Sequence, residues 1–206
     1  MLSASRAKAK QGTDIVIGIV GTHGRKEREA LVAGPERLPS REVHYRDMIL
    51  REFDLDAALA RKPGPILIDD LAHSNIAGSR HTKRWQDVEE LLSAGIGVYS
   101  TINVQHLESL NDVVGGITGI RVWETVPDHV FDTAEEVVLV DLPSEELLQR
   151  LKEGKIYLPE QVERAIQIFF RKGNLIALRE LARRRTTDRV DSRMLKYRRD
   201  RSVSPM

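Results

Sequence analysis

The sequence predicts an α/β fold built on a mainly parallel sheet, with helices on its faces and a helical appendage at the C-terminal end. Three observations carry that prediction. Short, nearly uninterrupted apolar runs recur at residues 14–20, 65–68, 97–101 and 136–142, the pattern of strands buried on both faces. Between them lie amphipathic segments of helical period, so strands and helices alternate through the first 150 residues. The runs end in glycine, carboxylate or hydroxyl residues, which places polar groups on the carboxyl edge of the sheet, where open α/β sheets bind ligands.

Taken in order, residues 1–11 have helical composition and Gly12 stands as a C-terminal stop. The strand expected at 14–20 runs into Gly21-Thr22-His23-Gly24-Arg25; its two glycines allow a tight turn at the sheet rim. A helix over 26–33 closes at Gly34-Pro35. Residues 43–45 suit a short strand, and 54–60 a helix with an acidic first turn.

The segment from 65 to 103 organises the rest. Pro65-Ile-Leu-Ile68 leads into Asp69 and Asp70, followed by a polar loop carrying His73, Arg80, His81, Lys83 and Arg84. A helix over 85–94 stops at Gly95, and the next strand ends in Thr101-Ile102-Asn103. This order matches the acidic half of a nucleoside-triphosphate site. Asp69 would hold magnesium, and Asp70 would orient a water or an attacking hydroxyl. Thr101 and Asn103 would sense the γ-phosphate, with Thr22 and Arg25 as phosphate contacts on the same rim. Each residue also has a plainer reading: Asp69 and Asp70 as loop caps, and Thr101 and Asn103 as caps of the following helix. A metal-dependent hydrolase using Asp69, His73 and His81 is a further alternative.

Beyond the second strand tip, residues 104–118 read as a helix, 136–142 as a third strong strand, and 144 onward as another helix. Residues 159–170 and 174–185 read as a helical pair broken at Gly173. The domain plan is an α/β nucleotide-binding-type domain over 1–142, a helical appendage over 143–193 and a charged linker over 194–206. Trp85, Trp123, Phe169 and Phe170 are expected to be packing residues.

Net charge is +1, but residues 171–201 hold twelve Lys/Arg against four Asp/Glu, so the remainder carries −7. An acidic body with a basic tail does not fit a nucleic-acid binder, whose charge lines one face of the fold. The Arg183-Arg184-Arg185 run reads as a solvated face, or as a contact for an acidic partner or the inner membrane surface. Cysteine is absent, which excludes disulfides and thiolate metal sites. With no apolar run of membrane-spanning length and no signal-peptide pattern, a cytoplasmic location is expected.

Five stretches bear a dense resemblance to one family: Gly-Thr-His-Gly-Arg-Lys-Glu at 21–27, the loop at 71–81, the helix at 84–92, Asn-Val-Gln-His-Leu-Glu-Ser-Leu-Asn-Asp-Val at 103–113, and Phe-Phe-Arg-Lys-Gly-Asn-Leu at 169–175. They resemble the N-terminal cytoplasmic domain of the KdpD sensor histidine kinases, which control bacterial potassium-transport genes. The resemblance implies a P-loop NTPase-type fold that binds ATP with magnesium and regulates a distant kinase core. It implies as partners a universal-stress-like domain and the histidine kinase core, at the cytoplasmic face of the inner membrane.

The sequence departs from the family pattern in places. No G-x-x-x-x-G-K-[ST] loop occurs in the 206 residues; in the family it lies upstream of the position of Met1, so the sheet is expected to lack the phosphate-loop strand. Asp70 stands where the family usually has glutamate, and Ile76-Ala77 and Thr82 replace Ala-Pro and Pro. Without backbone amides at a helix N-terminus and the loop lysine, two aspartates present like charge to a triphosphate. The expectation is therefore that this chain binds little or no ATP on its own and is not catalytic by itself. A stand-alone interaction module derived from that domain is the alternative.

Overall fold

The computed structural model describes residues 1–21, 26–45, 48–153 and 169–203. It divides into two compact units, Met1–Asn103 and Val104–Met206.

The first unit is the α/β body. Its elements are α1 (Leu2–Lys10), β1 (Val16–Ile19), α2 (Lys26–Val32), β2 (Glu36–Arg37), β3 (Arg41–Tyr45), β4 (Met48–Glu52), α3 (Leu55–Arg61), β5 (Pro65–Ile68), α4 (Arg84–Ser93) and β6 (Gly97–Ser100). Four strands form one parallel sheet in the order β2-β1-β5-β6. The predicted parallel α/β architecture is therefore present, and it is compatible with a P-loop-like fold.

The apolar runs bury as their composition demands. Val16, Ile17, Ile66, Leu67 and Ile68 are all within 1 % of full burial, each such side chain stabilising by about 1.5–3 kcal/mol. Gly18 sits among them because a Cβ there would lie 2.8 Å from the Phe53 ring and 3.0 Å from Ile66. One face of β1 packs with Ile15, Val20, Val32 and Leu67, and α1 covers that cluster with Met1, Leu2 and Ala9. By contrast β6, at the end of the strand order, is only half-buried at Val98, Tyr99 and Ser100.

Local signals explain the helices. Asp54 caps α3 by accepting the Ala57 amide at 2.9 Å. At the start of α4 the Gln86 side chain accepts the Lys83 amide at 3.1 Å, and Gly95 beyond its end adopts φ +80°. The short strand expected at 43–45 is part of something larger. β3 and β4 pair antiparallel, registered from Arg41 opposite Glu52 to Tyr45 opposite Met48.

The second unit is helical. It contains 3-10 turns at Val104–His106 and Glu108–Leu110, then α5 (Asn111–Thr118), α6 (Asp128–Thr133), α7 (Ser144–Lys152) and α8 (Lys172–Val203). Three expectations are corrected in this unit. The helix expected from residue 104 starts only at Asn111, because Val126 pulls the preceding backbone into a bridge. Its amide donates to His106 O at 2.7 Å, and its carbonyl accepts the Glu108 amide at 3.1 Å.

The strand expected at 136–142 does not form; Val138 and Val140 are 73 % and 78 % exposed on an irregular segment. Strand propensity alone does not suffice without a neighbouring ladder to satisfy the backbone. Finally, α8 continues through residues 194–203, where a linker was expected, since this stretch is rich in helix-forming Arg, Lys, Met and Leu. Gly173 lies inside its first turn rather than breaking it. The helix expected at 159–170 falls almost entirely outside the described residues.

Aromatic placement also differs from expectation in one case. Phe169 and Phe170 meet edge to face at 5.0 Å, whereas Trp123 is 78 % exposed beneath the Arg121 guanidinium.

Candidate functional site at the strand tips

Parallel pairing brings the ends of β1, β5 and β6 together on one rim. The Asp69 amide donates to Ile19 O at 2.9 Å, and Leu71 N–H donates to Thr101 O at 3.0 Å. Between these bonds the Thr101 hydroxyl does two jobs. It donates to the Asp69 carboxylate and accepts the Asp70 amide at 3.1 Å. Ser100 Oγ donates to Ile68 O at 2.7 Å and ties the same strands one residue earlier.

Asp70 adopts φ +57°, the left-handed region, and is exposed. For a non-glycine residue that conformation costs about 1–2 kcal/mol. The reverse turn it makes, closed by His73 N–H to Asp70 O at 3.1 Å, directs the chain from β5 into the polar loop.

Beneath this rim lies a buried polar network that the sequence did not reveal. Arg84, 5 % exposed, donates from Nη1 to Asp69 O and from Nη2 to Glu52 Oε2, both at 3.2 Å. Glu52, 3 % exposed at the end of β4, also meets His73 Nε2 at 2.8 Å. Burial pushes the Glu52 carboxyl up, yet His73 and Arg84 together hold it below its ordinary value. A charge this deeply buried requires such partners.

The loop is stitched along its length. Asn75 Nδ2 donates to His81 O at 3.1 Å and to Asp87 Oδ2 at 2.7 Å. His81 Nε2 meets Glu90 Oε2 at 2.7 Å, and Arg80 pairs with both Asp56 and Glu90. From β3, Arg41 reaches Ser79 Oγ at 3.2 Å. Asp87 behaves oppositely to Glu52: burial raises its carboxyl above the usual value despite the Asn75 bond.

The structure thus brings Asp69, Asp70 and Thr101 together. Asn103 lies two residues further along the chain, exposed. Thr22 and Arg25, the expected phosphate contacts, lie outside the described residues. His73 and His81 turn to separate carboxylates, Glu52 and Glu90, so the grouping of Asp69 with both histidines is not assembled. Among the described residues no three His, Cys, Asp or Glu side chains are arranged to hold a metal. The donor set that is present, two carboxylates and a hydroxyl, suits the cation side of a magnesium nucleotide. It does not supply a phosphate cradle of backbone amides with a lysine.

The family described as KdpD, osmosensitive K+ channel His kinase sensor domain, matches residues 1–190. This chain belongs to the KdpD sensor-domain family. Sensor protein KdpD of Escherichia coli is 64 % identical over 198 residues, covering 96 % of this chain and 22 % of that protein. KdpD of Clostridium acetobutylicum is 53 % identical over 191 residues, covering 93 % and 21 %. KdpD of Mycobacterium tuberculosis is 47 % identical over 204 residues, covering 99 % and 24 %. The chain therefore spans about a fifth to a quarter of the length of these relatives, each named a sensor protein. Among its described residues no helix is long and apolar enough to cross a membrane.

Proposed function

We propose that this chain is a regulatory region of a two-component sensor histidine kinase responding to potassium or osmotic stress. In the intact protein its strand-tip carboxylates bias the balance of kinase and phosphatase activity. The observation that carries the reading is the Thr101 hydroxyl joined to both the Asp69 carboxylate and the Asp70 amide at the carboxyl edge of a parallel sheet. That is where α/β sheets bind ligands, and membership of a family of sensor domains gives the site its context. Asp69 would take the magnesium of a bound nucleotide, and Asp70 and Asn103 would lie nearest the terminal phosphate. The partners of such a region are the universal-stress-like domain and the kinase core of the same protein.

On their own these 206 residues are proposed to bind Mg-ATP very weakly or not at all. They lack a G-x-x-x-x-G-K-[ST] loop, and backbone amides with a lysine provide most of the grip on a triphosphate. Isothermal titration of the chain with Mg-ATP tests this half: no measurable heat is expected, and a micromolar Kd would overturn it. The regulatory half is tested by Asp69→Asn in a full-length sensor kinase carrying this region. A changed ratio of autophosphorylation to phosphatase activity is expected, and an unchanged ratio would overturn the reading.

A further inference from the structure

The exposed end of α8 is a surface for which the strand-tip reading has no use. The helix buries Leu175, Leu178 and Arg189 along one stripe. Arg189 ends that stripe, donating from Nε to Phe131 O at 3.0 Å and from Nη2 to Ala134 O. Residues 190–199 are then all exposed. Within them Val190, Met194 and Tyr197 recur at helical spacing on one face, each 50–54 % exposed. They line an open groove together with Arg189, Arg193 and Lys196. Between residues 193 and 201 the sequence carries five Lys/Arg against a single Asp.

The arginines first singled out for an external contact are committed elsewhere. Arg183 pairs with Asp141, Arg184 with Glu180 at 3.0 Å, and Arg185 with Asp128 and Asp132 at 3.1 and 2.7 Å. Arg193 is likewise bonded, to Glu135 O at 2.7 Å, and beyond it Lys196 and Arg198 are exposed.

We propose that the face of α8 centred on Val190, Met194 and Tyr197 docks on an anionic lipid surface, its apolar side chains entering the interface and the flanking Lys/Arg meeting headgroup phosphates. A narrow apolar stripe edged by long basic side chains is the composition of an interfacial helix. The aliphatic stems of Arg and Lys lie along the apolar boundary while their charges reach outward, and clusters of basic residues on such a helix attract acidic headgroups. Charge separates this occupant from a second copy of the chain, whose like stripe would set five Lys/Arg against five. It also favours a diffuse anionic field over one acidic protein groove, because at about 100° per residue the basic positions 193, 196, 198 and 199 spread around the helix instead of sharing one face.

The proposal is independent of nucleotide binding, and its test uses none. The full chain is floated with vesicles of phosphatidylcholine alone and with phosphatidylglycerol added. Association at least about tenfold stronger with the anionic lipid is expected, falling sharply in high salt, since the attraction of basic side chains to such a surface is screened by ions. Lys196→Glu with Arg198→Glu should abolish that gain, and Val190→Asp with Met194→Asp should weaken it several-fold. Arg51→Glu, exposed on β4 in the other unit, should leave it intact. Because the altered α8 side chains are exposed, circular dichroism should show each variant folded. Equal association with both vesicles, or binding indifferent to the Val190 and Met194 changes, would overturn the proposal. So would a concentration-dependent dimer in sedimentation that Met194→Asp dissociates, which would assign the face to a second copy.

Discussion

Thr101 is bonded through its hydroxyl to the carboxylate of Asp69, and the same oxygen accepts the backbone amide of Asp70. One side chain from the tip of β6 thus sets both the direction of the first aspartate and the turn made by the second. Thr101→Val keeps the shape and removes both bonds. A loss of about 1 kcal/mol is expected in urea denaturation, because exposed hydrogen bonds have small net value. Thr101→Ser should restore most of it. A loss in Thr101→Ser with none in Thr101→Val would show that the methyl group, not the hydroxyl, holds the rim.

Asp70 is held left-handed at φ +57°, a conformation that glycine adopts without steric penalty. Asp70→Gly should therefore stabilise the chain, by up to about 1 kcal/mol after the greater chain entropy of glycine is deducted. If the carboxylate serves regulation, the same change in a full-length kinase should disturb its kinase-to-phosphatase balance. Stability rising while regulation falls is the signature of strain retained at a working site.

Glu52 and Arg84 form a buried ion pair that ties the end of β4 to the tip of β5. Glu52→Gln leaves the Arg84 guanidinium buried without its counter-charge, and a loss of about 3 kcal/mol or more is expected. The carboxyl is held below its ordinary value in the folded chain. Its contribution is therefore present above the unfolded value, about 4.3, and is lost as pH falls through the lowered folded value. Denaturant midpoints measured from neutral to acid pH should show that loss in the native chain and not in Glu52→Gln.

The body of the fold was legible because its signals are local. Continuous apolar runs marked β1, β5 and β6, and Asp54 and Gly95 marked helix ends within a residue of their places. Asp69, Asp70 and Thr101 could be put on one rim because parallel strands end on the same side. What escaped was non-local. Glu52 and Arg84 are 32 residues apart, and neither sequence neighbourhood marks a charge as buried. The bridge between Leu107 and Val126 broke a segment of sound helical period. Val138 and Val140 have strand composition but no ladder beside them. Propensity reports what a segment favours, and neighbours decide whether it is realised.

Asp87 offers the opposite titration on the same loop. Burial raises its carboxyl above the ordinary value, so between the unfolded value, about 3.9, and that raised value the folded state binds more protons than the unfolded. Stability from this group accordingly falls as pH rises through that window and then levels, leaving the ionised carboxylate a net cost at neutral pH. Asp87→Asn removes the charge and keeps an oxygen to accept Asn75 Nδ2, now bonded at 2.7 Å. It is expected to equal or exceed the native chain in denaturant midpoint at neutral pH, with the advantage vanishing in acid. Asp87→Ala instead leaves one of the two Asn75 Nδ2 hydrogens without an acceptor, the other staying on His81 O, and should destabilise by about 1–3 kcal/mol. A neutral-pH loss in Asp87→Asn as large as that in Asp87→Ala would mean that the charge stabilises the loop, through the nearby Arg84 and His81, more than burial penalises it.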